Sequence, residues 1–148
     1  MILPINYQET YLVRQEVLRK GRPIETCYFD GDKEKSTVHF GFFQEGNLIG
    51  VISIFCTSST LFQEQSQFQI RGMAVLEGFQ HKGFGNQLVL HAENYCKEQK
   101  GEVIWFNARE KAVPFYKKNN YQILGDAFEI QEVGIHFVMY KKLMKKSF

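Results

Sequence analysis

The alternation of apolar and polar positions divides the chain into helices and strands almost from end to end. From Asn6 to Lys20 the apolar residues Tyr11, Leu12, Val17 and Leu18 recur at roughly helical spacing until Gly21-Arg22-Pro23 stops them, which predicts an N-terminal helix. The segment from Glu25 to Lys35, carrying Glu25, Asp30, Asp32 and Glu34, reads as an acidic loop. Val38 to Phe43 and the β-branched run Leu48 to Phe55 predict two antiparallel strands joined by a turn at Gln44-Glu45-Gly46-Asn47. Phe68 to Val75 alternates and then turns wholly apolar, as a strand does on running into a covered region, with Gly72 at the place of a bulge. Gly83 to Lys100 is the clearest helix: Leu88, Val89, Ala92, Tyr95 and Cys96 share a face, Glu93 stands one turn before Lys97, and Gly101 ends the run.

Glu102 to Phe106 follows as a short apolar strand, and strand–helix–strand in this order predicts a parallel pair joined by a crossover. Lys111 to Asn119 predicts a short helix that tolerates Pro114 in its first turn. Tyr121 to Phe128 and Ile135 to Lys142 predict two further strands, and the sheet is therefore mixed. Lys141, Lys142, Lys145 and Lys146 make a basic end to the chain.

Composition narrows the class without naming a partner. The 148 residues suit one domain, residues 1–148, and 44% hydrophobic with 23% charged residues excludes a disordered chain. A formal charge of +2 gives no footprint for nucleic acid. The longest apolar stretch, Leu48 to Phe55, is far shorter than the roughly 20 residues of a membrane helix, so no membrane partner is expected. Met1 to Asn6 has neither the basic flank nor the cleavage site of a secretory signal, and a cytoplasmic location is expected. Cys27, Cys56 and Cys96 are odd in number and widely spaced, which suggests neither a disulfide framework nor a metal site.

Chemistry concentrates in Gln80-His81-Lys82-Gly83-Phe84-Gly85-Asn86, between the apolar strand and the long helix. Glycines there let backbone approach an anion, and the unpaired amides of a helix start, with its positive dipole end, stabilise negative charge. A Walker loop needs Gly-Lys-Ser/Thr, which is absent, and a dinucleotide fingerprint needs glycine where Leu88 stands. A Gly-x-Gly at this place also serves a tight strand–helix turn that binds nothing.

Gln80-x-x-Gly83-x-Gly85, preceded by Arg71-Gly72-Met73-Ala74-Val75 and followed by Asn107-Ala108 and Ala112-x-x-Phe115-Tyr116-Lys117-Lys118-x-Asn120-Tyr121, resembles the GNAT superfamily of N-acetyltransferases, in particular its small, stand-alone bacterial-type members. The resemblance runs from Gln69 to Tyr140. It implies an α/β fold with a mixed, mostly antiparallel sheet, splayed between the fourth and fifth strands and flanked by helices. It implies acetyl-CoA as cosubstrate, its pyrophosphate on Gln80, His81, Lys82, Gly83, Phe84, Gly85 and Asn86 and its pantetheine along Met73, Ala74 and Val75, with no metal. Asn107 matches a residue that helps order cofactor or substrate, and Tyr116 the general acid that protonates the departing thiolate.

The implied reaction is direct transfer of acetyl to a primary amine of a small molecule or peptide; the alternative is a non-catalytic acyl-CoA-binding sensor or regulatory module. The chain departs from the family in two places, with His81 at a position where glycine or arginine is usual and Asn120-Tyr121 in place of a Gly-Phe or Gly-Tyr pair. The family's strand glutamate falls on Gln69, which cannot take a proton usefully. A water chain then suits the amine's proton; His39, His136 and Glu25 are candidate carriers, but such residues are more often structural than catalytic. Glu25, Asp30, Asp32 and Glu34 suggest a cationic acceptor. Relatives that pair make a homodimer an expectation.

Overall fold

The computed structural model describes residues 1–143; Lys145 and Lys146 of the basic end lie outside them. Seven strands form one sheet: β1 (Ile2–Ile5), β2 (Val38–Gln44), β3 (Asn47–Phe55), β4 (Gln67–Val75), β5 (Val103–Arg109), β6 (Gln122–Ile130) and β7 (Gly134–Lys142), in the order β1-β2-β3-β4-β5-β7-β6. All neighbours are antiparallel except β4 and β5. The helices are α1 (Tyr11–Leu18), α2 (Phe84–Glu98) and α3 (Val113–Lys118).

Each junction has a local cause. Glu45 and Gly46 both take positive φ, 50° and 81°, the two-residue turn whose twist matches a hairpin. Asn6 caps the N-terminal helical segment by accepting from the Glu9 amide at 3.0 Å while Glu9 accepts from the Asn6 amide at 3.2 Å. That segment begins as a 3₁₀ turn, Tyr7–Thr10, before α1. Pro114 stands in the first turn of α3, where its missing N–H costs nothing. Asn120, at φ 70°, makes the left-handed step after α3.

Both faces of the central strands are covered, which is why β3 is buried from Ile49 to Phe55 instead of alternating. On one face Val13 of α1 packs on Val51 and Ala74; on the other Leu88, Val89, Ala92 and Cys96 of α2 join the larger core with Ile52, Ile104 and Met139.

Five readings of the sequence need correction. β1 was not expected; it pairs along β2 from Ile2↔Phe42 to Ile5↔His39. The acidic segment is not all loop, since Ile24–Cys27 form a 3₁₀ turn. Glu93 does not serve Lys97: it is buried, takes Lys141 Nζ at 2.8 Å and accepts from the Tyr121 hydroxyl at 3.1 Å, because the neighbouring sheet offers a better-shielded partner than its own helix. The left-handed residue closing α2 is Lys100, at φ 62°; Gly101 is required because a Cβ there would stand 2.7 Å from the Phe68 ring. The fifth strand runs on to Arg109, so Asn107 lies inside it.

Two features of β4 shape the site. Gly72, at φ +66°, sits where the register with β3 slips between Val51↔Ala74 and Ser53↔Arg71, a bulge, and a Cβ there would come 2.9 Å from the Phe29 ring. The parallel pairing of β4 with β5 is confined to Gln67↔Val103, Phe68↔Ile104 and Gln69↔Trp105. Beyond it β4 stays with β3 to Val75 and β5 with β7 to Arg109, opening a wedge in the middle of the sheet.

Candidate functional site

The loop after β4 presents backbone. Leu76 N–H still donates to Ile49, at 2.8 Å, and Glu77–Phe79 form a 3₁₀ turn. Gln80 then folds back, its Nε2 donating to the Val75 carbonyl at 2.8 Å. His81 and Gly83 take left-handed φ of 63° and 86°, and α2 starts at Phe84 with no side-chain cap. The first helical amide to find a carbonyl is that of Gln87, which donates to Gly83 at 3.1 Å. Among the described residues, the amides from His81 to Asn86 meet no protein acceptor, so a run of unpartnered N–H groups stands at the positive end of a helix 15 residues long.

The side chains of this loop are occupied elsewhere. Phe84 packs on Phe42 at 4.7 Å, Asn86 Oδ1 accepts from Asn119 Nδ2 at 2.9 Å, and Lys82 Nζ lies 5.9 Å from the Phe79 ring centre. Gly85 lies close to α3, where a Cβ would stand 3.3 Å from the Phe115 ring.

The wedge holds a cavity of about 290 Å³ between Gln69–Met73 of β4 and Phe106–Arg109 of β5. Of the residues that the resemblance assigns to the donor and the general acid, Met73, Asn107 and Tyr116 line it, whereas Ala74 and Val75 are buried beside it and the loop from Gln80 to Asn86 stands outside it, past the end of β4. Tyr116, from α3, is wedged against Phe106 at 4.3 Å and Phe115 at 5.0 Å, and among the described residues its hydroxyl has no protein partner. Burial pushes the phenol pKa above the ordinary tyrosine range, so it is protonated at neutral pH.

The four groups considered for proton transfer separate cleanly. Glu25 is exposed and does not border the cavity. His39 belongs to a buried network: Ser53 Oγ accepts from Arg14 Nη2 at 2.9 Å and donates to His39 Nδ1 at 2.6 Å, and His39 Nε2 donates to the Asp32 carbonyl at 3.0 Å. Burial lowers its pKa. Gln69 lines the cavity but is an amide. His136 also lines it, and because its Nδ1 donates to the Gly134 carbonyl at 2.8 Å, the neutral ring keeps its lone pair on Nε2.

The carboxylates of the acidic segment do not border this cavity. Asp32 is buried in a two-pronged pair with Arg14, at 2.7 and 2.9 Å, and accepts from the Phe29 amide. Asp30 and Glu34 line a separate hollow with Tyr7, Tyr11 and Tyr28. The cavity is bordered instead by Arg19, Arg71 and Arg109, none of which was expected there, and, among the described residues, by no carboxylate. Positions so far apart in the chain carry no shared sequence signal.

A mixed sheet that parts between its only parallel neighbours, with uncapped amides at the start of the following helix, defines an α/β protein built around an open strand edge. Residues 25–144 match the model of the acetyltransferase (GNAT) domain, and the chain belongs to the GNAT acetyltransferase family. It is 37% identical over 139 residues, covering 94% of this chain and 93% of the other, to the uncharacterized N-acetyltransferase YitI of Bacillus subtilis (strain 168). Its fold resembles that of an aminoglycoside 6'-N-acetyltransferase complexed with coenzyme A, with a TM-score of 0.79 at 11% identity over 99% of each chain. The ribosomal-protein-S18-alanine N-acetyltransferase from Escherichia coli is similarly alike, at 0.77 and 13% identity over 99% of this chain and 96% of that one. Among the described residues, no helix is long and apolar enough to cross a membrane.

Proposed function

We propose that this chain transfers the acetyl group of acetyl-CoA directly to a primary amine of a small molecule or peptide. The observation that carries the reading is the run of unpartnered amides from His81 to Asn86 beside the open edge of β4. A diphosphate suits that run of amides because peptide N–H groups and a helix dipole both favour negative charge there. The β4 edge beyond Gln69, through Met73, Ala74 and Val75, is free to pair with an extended amide-bearing arm, as an added strand would. The coenzyme A in the solved aminoglycoside acetyltransferase supports the same donor here.

Acetyl-CoA supplies an activated thioester. Tyr116, protonated and free of protein partners, gives its proton to the sulfur as the C–S bond breaks and the C–N bond forms. His136 Nε2 takes the proton released by the amine, filling the place for which Gln69 lacks the chemistry. An amide of β4 near Ala74 polarises the carbonyl, and Asn107 orders the bound groups. We take residues 1–148 as one acyltransferase domain acting in the cytoplasm and pairing as a homodimer.

Thiol release from acetyl-CoA across a panel of amines tests this reading. Release with at least one amine, reduced about 100-fold in kcat by Tyr116→Phe, is the expected outcome. Tight CoA binding with no release on any amine favours a sensor or regulatory module instead, the reading that Gln69 at the family's base position supports.

A further inference from the structure

Three guanidinium groups reach the cavity from three different elements. Arg19 stands immediately after α1, Arg71 lies on β4 beside the Gly72 bulge, and Arg109 ends β5. None has a carboxylate partner among the described residues. Arg19 Nη1 and Arg109 Nη2 share a single acceptor, the Leu18 carbonyl, at 3.0 and 2.9 Å. Arg71 Nη1 reaches only the Asp30 carbonyl, at 3.4 Å, and the Arg71 and Arg19 guanidiniums lie 4.7 and 5.9 Å from the centre of one Phe29 ring.

Two like charges on one neutral oxygen, with a third across a shared ring, repel one another in a half-buried setting. The neighbouring acids answer them only in part: Asp32 and Asp30 offset some of the repulsion at Arg71, but Asp32 is gripped by Arg14, Asp30 meets Arg71 through its backbone carbonyl, and the exposed Glu132 faces Arg22 at 3.8 Å. Burial first, and then the other arginines nearby, push the pKa of all three guanidiniums down, yet arginine stays charged at neutral pH. A cavity bordered by three such forks and, among the described residues, by no Asp or Glu repels a polyamine-like acceptor and suits a ligand with planar or tetrahedral oxyanion geometry.

We infer that the acceptor amine carries a carboxylate or phosphate group, held in the wedge by Arg19, Arg71 and Arg109 while its amino group faces Met73 and Tyr116. This specificity rests on the acetyl-transfer reading above, but the anion site exists independently of turnover. The arginines are not part of the amide run, since the loop from His81 to Asn86 does not border the cavity.

The test is calorimetry of the full chain loaded with CoA, titrated with matched pairs: amino acids against their carboxamides, and amino-sugar phosphates against the unphosphorylated amino sugars. At least one anionic member should bind about tenfold or more tighter than its neutral partner, and the pair in which it does so separates carboxylate from phosphate. Arg71→Gln and Arg109→Gln should each shrink that gap at least fivefold, with Arg71→Lys, which keeps charge but not the fork, in between. Equal binding within every pair, including none by either member, overturns the inference, as does a gap that survives both variants. It is equally overturned if the variants weaken CoA as much as they weaken the anion, which would give the guanidiniums to the donor's own phosphates. Circular dichroism and the urea midpoint report separately that each variant is folded. Thiol release with the same panel stands apart: anion-selective binding without release would refute acetyl transfer and leave the anion site in place.

Discussion

At the α2 end of the wedge the groups that can meet a ligand are the peptide N–H groups from His81 to Asn86, whereas at the α1 end they are the side chains of Arg19, Arg71, Arg109 and His136. A backbone site needs only the chain path, so its demands fall on glycines and leave the other side chains free to pack, as Phe84 and Asn86 do. A side-chain site needs particular residues and support beneath them. That support includes Arg14, fully buried, which has what the cleft arginines lack: a carboxylate gripping it in two places. One arginine is locked into the fold, and three border the open cavity.

The largest expected effect tests that support. Asp32→Ala leaves the buried Arg14 charge uncompensated and should cost about 3–5 kcal/mol of unfolding free energy by urea denaturation. Arg71→Gln, by contrast, should change stability by no more than about 0.5 kcal/mol, because it removes a repelled charge with no carboxylate partner. Next comes Tyr116→Phe, expected to lower kcat about 100-fold while CoA affinity in calorimetry stays within about twofold. At the backbone end, Gly83→Ala must hold a Cβ at φ +86° and should cost about 1 kcal/mol, read as weaker CoA binding and a lower urea midpoint. His81→Ala and Lys82→Ala should change CoA affinity less than about threefold, since the site uses their amides.

The smallest effect concerns pH. Burial holds the folded-state pKa of His39 below the unfolded value of about 6.5. The unfolded chain therefore takes up a proton first as pH falls. Stability present above about pH 6.5 declines below it until the folded His39 also protonates. Urea midpoints between pH 8 and pH 5 should show that decline, and His39→Gln should flatten it.

What the sequence reveals follows from the range of the interactions. Apolar periodicity marks β2 to β7 and all three helices, and the Gly83-x-Gly85 spacing marks the amide loop, because these depend on neighbours in the chain. β1 escapes because Ile2 and Ile5 are its only half-buried positions and Pro4 interrupts the pattern, as an edge strand permits. Glu93 is misread for a related reason: helical spacing offers Lys97, while the true partner, Lys141, is brought in by β7. The guanidinium cluster is invisible to any local rule, since residues 19, 71 and 109 meet only when β4 and β5 part. His136 looks like one more residue of an alternating strand until its Nδ1 bond to Gly134 fixes which nitrogen is left for the cavity.

The central claim is that peptide nitrogens at the start of α2 hold the donor's diphosphate. Titrating CoA into isotope-labelled protein and following backbone amide resonances tests it most directly. Saturable shifts concentrated from His81 to Asn86 and along β4 from Met73 to Val75 are the expected result. Folded protein whose amides in that loop stay unmoved at millimolar CoA would contradict it.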